Sequence, residues 1–141
     1  NGQVSPEYFQ RIMGWYLAPI WPAAVLQGIY EGTIYGLIFG LIFVISVALI
    51  TRRQADWAFL KGILWRMLRL LYGSWALGGL IAIVWALTFP EAYDHAFYGV
   101  PEALSRRVGY AWVGGSIWGG MIGGGLAAVY ETVRVYTKWN K

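Results

Sequence analysis

The chain has 141 residues, 58% hydrophobic and 18% aromatic, with only 13% charged and a formal net charge of +4. Soluble domains carry about 25% charged residues, so this composition excludes an ordinary water-soluble domain, which would lack the polar surface to stay dissolved. There is no cysteine, which excludes disulfides, thiolate metal sites and thiol nucleophiles.

In chain order, Ser5-Pro6-Glu7 reads as a helix start: a hydroxyl cap, a proline that loses nothing by lacking its N–H, and an acid at the positive end of the helix. Tyr8, Phe9, Ile12, Trp15 and Tyr16 form an aromatic face opposite Gln10 and Arg11, which predicts a short amphipathic helix over about 5–16 lying in a membrane interface. Pro19 and Pro22 then turn the chain. They also interrupt Ile12 to Leu26 as a signal peptide, so the first span is expected to serve as the insertion signal.

A first transmembrane helix is expected over about 22–50, since about 20 apolar residues cross the hydrocarbon layer. It holds glycine at every fourth position, Gly28, Gly32, Gly36 and Gly40. Each interior glycine costs up to about 1 kcal/mol against alanine in water, so four in one stripe argue for lipid surroundings and a closely packed neighbour. Beside them run Gln27, Glu31 and Tyr35, a polar stripe with the one acid of the segment. An intramembrane acid is a functional hypothesis by default; the plainer reading has Glu31 reaching the outer headgroups or a partner subunit.

An amphipathic connector is expected over about 54–69, with Trp57, Leu60, Leu64, Met67 and Leu68 at helical spacing and Lys61, Arg66 and Arg69 interleaved. A second span over about 70–89 carries a weaker small-residue series, Ser74, Gly78, Ala82 and Ala86, and ends at Pro90. An outer loop over 90–100 contains His95, the only histidine, so no multi-histidine metal or haem site is expected within one chain. A third span over about 101–135 presents two small faces. One holds Ala111, Gly115, Gly119, Gly123 and Ala127; the other holds Ser116, Gly120, Gly124 and Ala128. Glu131 at its end, with Arg134 three residues on, reads as an ordinary interface charge.

Gly32-Thr-Ile-Tyr-Gly36 and Gly115-Ser-Ile-Trp-Gly119 echo one another, which is read as convergence on one packing pattern rather than duplication. Arg52, Arg53, Lys61, Arg66 and Arg69 share one side with Arg134, Lys138 and Lys141. This places the C-terminus in the cytoplasm and the N-terminus outside, and assigns the basic residues to orientation and lipid headgroups rather than to nucleic acid.

The expected fold is therefore an all-α membrane protein of one domain, with three transmembrane helices packed through glycine ladders and short interfacial amphipathic helices. No catalytic motif, phosphate-binding loop or metal-ligand set is present, so no enzyme activity, metal or bound cofactor is expected. Lipids should bind, and Trp75, Trp85 and Trp118 could contact a quinone or pigment ring. The leading expectation is a non-catalytic accessory or scaffold subunit of a larger bacterial inner-membrane complex of respiratory or photosynthetic electron transport, its partners being lipids and other membrane subunits or a second copy. The alternatives are a small oligomeric channel or transporter using Glu31, and a holin-like pore-forming or membrane-remodelling protein.

Overall fold

A computed structural model of the chain describes residues 4–16 and 18–139. The fold is all-helical, 83% helix, with no strand among the described residues. Five helices follow in order: α1 (Pro6–Ile12), α2 (Trp21–Ile50), α3 (Trp57–Thr88), α4 (Pro90–Ala96) and α5 (Leu104–Trp139).

Two of them, α2 and α3, are long and apolar enough to cross a membrane. The core helix of a soluble protein would be mostly buried, yet only 11% of the apolar stretch of each is buried here. Ile42, Val44, Ile45 and Leu49 on α2, and Leu80, Ile81 and Val84 on α3, stand more than half exposed. α5 is longer than either but is not among the helices apolar enough to qualify. Its eight glycines between Val108 and Tyr130 dilute its apolarity.

The cap at Ser5 is weak: the Tyr8 N–H reaches its hydroxyl at 3.4 Å. α1 spans only part of the interfacial helix expected over 5–16, and it packs on α5 rather than standing free. A Cβ on Gly114 would lie 3.0 Å from the Tyr8 ring, so the glycine is what admits that ring. The connector and the second span are one helix, because nothing between Asp56 and Pro90 breaks the hydrogen-bond ladder. Asp56 caps it, accepting the Phe59 N–H at 2.8 Å. The turn before it holds Arg52 and Arg53 in the left-handed region, at φ 51° and 61°.

Residues 90–100, expected to be loop, instead contain α4. Pro90 occupies its first turn with Glu91, the same start chemistry as residues 6 and 7. Tyr93 is buried there among Phe97, Trp85 and Tyr110, and Asp94 accepts a hydrogen bond from Arg107 at 2.9 Å. Arg11 donates to the Gly99 carbonyl at 2.7 Å, tying α1 to the same cap. α5 begins at Leu104, three residues later than the sequence suggests.

α3 and α5 form the main pairing, antiparallel along most of their length. The contact runs from Ala82 against Gly115, through Gly78 against Gly119, to Ser74 against Gly123. These backbones touch: a Cβ on Gly78 would stand 2.7 Å from the Gly119 Cα, and one on Gly119 would stand 2.9 Å from the Gly78 Cα. Further along the same line, Glu131 is fully buried and accepts two hydrogen bonds from Arg66, both at 2.9 Å, and others from Arg134 at 3.3 and 3.4 Å. It is therefore not the exposed interface charge that its sequence neighbourhood suggests. α2 joins the pair at the α2–α3 turn end, where Phe43 and Val47 pack with Ile63 and Val135. Near its N-terminus Ala24 packs against the cluster around Phe9, Tyr110 and Val113, and between these two contacts its glycines face open space.

Candidate functional site: an open groove over the α2 glycines

The space between α2 and the α3–α5 pair is a groove of about 660 Å³. Gly28, Gly32, Gly36 and Gly40 form one wall, and a Cβ added to any of them would meet nothing within 4 Å. Among the described residues, then, the close neighbour expected for this ladder is missing. The facing wall is the Ser116 face of α5, with Gly120 and Gly124, and the floor is α3, with Leu64, Met67, Leu68, Leu71 and Trp75. The Gly115 face of α5 is used up against α3, which leaves the Ser116 face to border the groove.

Few polar groups line this space. The Ser116 hydroxyl is buried and turned back onto the Val113 carbonyl at 3.1 Å. Tyr35 stacks on Phe39, ring centroids 6.4 Å apart. Glu31 is the only ionisable carboxylate on the lining. It accepts a hydrogen bond of 2.6 Å from the Gln27 amide, the i to i+4 contact that helical spacing allows, and Gln27 also touches the Met13 sulfur at 3.3 Å.

A smaller cavity of about 360 Å³ lies beyond, under α1, and is bounded by Phe9, Met13, Trp21 and Gln27. Gly28, Glu31 and Ile117 line both cavities, so the Gln27–Glu31 pair sits at the waist between them. The Tyr8 hydroxyl is raised above its ordinary value, by burial first and then by the negative charge of Glu31.

Sharing its lining with Ser116 and Ile117 fixes the level of Glu31 along the bundle. At 1.5 Å per residue, Ile117 is about 15 Å from Arg107 and about 20 Å from Glu131, the charges that bound the uncharged stretch of α5. Glu31 therefore stands level with the interior of that stretch, well away from either end. Its nine residues from Pro22 along α2, about 14 Å, give nearly the same depth from the α1 end.

His95 lies outside the groove, exposed on α4, with Nδ1 2.8 Å from the Glu91 carbonyl oxygen. Among the described residues no three metal-ligating side chains converge. Trp75 packs edge-on to Trp112 at 5.2 Å and borders the groove, whereas Trp85 belongs to the α4 cap and Trp118 is exposed. The buried Arg66–Glu131–Arg134 cluster goes unrecognised in the sequence reading. A signal exists, because Glu131 continues the Ala111–Ala127 ladder by one four-residue step and so lies on the face turned to α3.

Comparison with protein-family models, with curated proteins and with solved structures finds no match.

Proposed function

We propose that this chain is a non-catalytic accessory or scaffold subunit of a larger inner-membrane assembly, and that its work is to seat a transmembrane helix of a neighbouring subunit in the groove between α2 and the α3–α5 pair. In this reading α5 is a third span beside α2 and α3, with α1 and α4 on the outer side and the α2–α3 turn in the cytoplasm. The carrying observation is the contrast between glycines of one chain: those of α5 that face α3 are closed against backbone, while all four of α2 stand open. Glycine is retained in membrane helices where a second backbone comes close.

The dimensions support a helix as occupant. From Gly28 to Gly40 is about 18 Å, more than three turns of a helix laid along the groove. A channel reading fits less well. Toward the α2–α3 turn from Glu31 and Tyr35 the lining is Leu64, Met67, Leu68 and Leu71, which offer an ion no polar step.

Extraction in a mild detergent should recover the chain with a defined set of membrane polypeptides, and a photo-crosslinker replacing Gly36 should join it to one of them. A chain that extracts alone, with crosslinks only to lipid, would remove this reading. Cysteines introduced as Asp56→Cys and Asp94→Cys should label only from the cytoplasmic and only from the outer side, respectively. The opposite pattern would invert the orientation.

A further inference from the structure

The long helices carry two acids, Glu31 and Glu131, and only Glu131 has cations against it. Glu131 is held by Arg66 and Arg134. At the outer cap Asp94 pairs with Arg107 at 2.9 Å and Glu7 with Arg106 at 3.7 Å, while Asp56 caps α3 from the turn. Glu91 and Glu102 are exposed near the ends of their segments, where water reaches them. Glu31 has one amide, Gln27, and no cation among the described residues. It is also the acid placed deepest in the uncharged part of the bundle, and it borders the open groove.

A charged side chain deep in a membrane is costly, and such residues pair with one another or with backbone carbonyls. The described residues supply no such counter-charge, and the groove supplies the place for one. We infer that the helix seated on the α2 glycines carries a lysine or arginine near its middle, and that this side chain pairs with Glu31 across the groove. The inference rests on the helix-seating function proposed above and names the chemistry of the partner. A basic group approaching along the groove meets no competing charge before Glu31, because the remainder of the lining is apolar, glycine or hydroxyl. Gln27, hydrogen-bonded on the far side, holds the carboxylate in place and leaves its other positions to the incoming donor.

The test uses the whole purified chain in phosphatidylcholine vesicles, dye-labelled through Gln54→Cys. Synthetic leucine–alanine transmembrane peptides carry the donor dye, with lysine, leucine or glutamate at the central position, and association is read by energy transfer. The lysine peptide should associate at least about tenfold more tightly than the leucine peptide. Glu31→Gln should bring the two level, and Glu31→Lys should move the preference to the glutamate peptide. Equal association of the lysine and leucine peptides with the unaltered chain, or a lysine preference that survives Glu31→Gln, overturns the inference. The seating of a helix is read separately. If the leucine peptide associates, and Gly36→Leu abolishes that, helix seating stands even where lysine adds nothing. If no peptide exceeds the energy transfer given by an unrelated labelled membrane protein, a groove filled by lipid is the outcome and both readings fall.

Discussion

Two glycine ladders in this chain have the same spacing and opposite surroundings. On α5, Gly115, Gly119 and Gly123 lie against Ala82, Gly78 and Ser74 of α3, with no room for a methyl group. On α2, Gly28, Gly32, Gly36 and Gly40 face empty space. A four-residue glycine repeat thus specifies how close a neighbour can come and says nothing about whether the neighbour belongs to the same chain. The α3–α5 contact is intrachain because a short cap, α4 and the residues after it, returns the chain directly alongside. α2 is held toward both ends, by Phe43 and Val47 against Ile63 and Val135 and by Ala24 against the cluster around Phe9 and Tyr110, and its glycines lie open between these contacts.

The largest effect should come from the end of the closed contact. Glu131→Ala leaves Arg66 and Arg134 without their carboxylate. Removing one partner of a buried pair costs about 3–5 kcal/mol, and the 37% exposure of the Arg66 side chain points to the low end, about 3 kcal/mol. Unfolding in detergent, followed by circular dichroism, should show it; a loss below about 1 kcal/mol would mean that the cluster is peripheral to the α3–α5 contact.

A single methyl then tests the comparison directly. Gly119→Ala drives a Cβ into the Ser74 carbonyl and the Gly78 backbone, which cannot move aside as a side chain would. Overpacking of this kind costs roughly 1–3 kcal/mol. Gly36→Ala places the same methyl in open space and should leave the isolated chain unchanged or up to about 1 kcal/mol more stable. Equal destabilisation by the two would erase the distinction. If the proposed helix seating holds, the ranking should change in a native preparation, with Gly36→Leu releasing the partner while the chain itself stays folded.

The smallest effect concerns the α4 cap. Burial raises the Tyr93 hydroxyl well above its ordinary value of 10.0, with smaller contributions from neighbouring Tyr110 and Tyr8. The folded state therefore keeps this proton after the unfolded chain has lost it. The corresponding stability is fully present below about pH 10 and declines as pH rises through that value. Tyr93→Phe should flatten the alkaline decline measured by thermal unfolding between about pH 9 and 11. An unaltered slope would show that Tyr93 is already exposed before the cap unfolds.

The helical class, the long apolar segments and both small faces of α5 are legible in the sequence, because apolar composition and four-residue spacing act locally. What is not legible is which face meets which. The series Ser74, Gly78, Ala82 reads as the weakest of the three, yet it makes the closest contact, since its partner on α5 lies at the matching height. α4 escapes notice because a seven-residue helix has too few residues to show a period, although Pro90 and Glu91 mark its start.

A ladder that repeats every four residues is self-similar: sliding α3 along α5 by about 6 Å, one repeat at 1.5 Å per residue, would present small residues to small residues again. Packing alone leaves such slipped arrangements nearly degenerate. The Arg66–Glu131 fork removes the degeneracy, because a slip in either direction strands a carboxylate in a dry contact with its guanidinium out of reach. One ion pair at the end of an otherwise repetitive seam acts as a vernier mark, admitting a single setting and thereby fixing the relative height of the α3 and α5 walls of the groove.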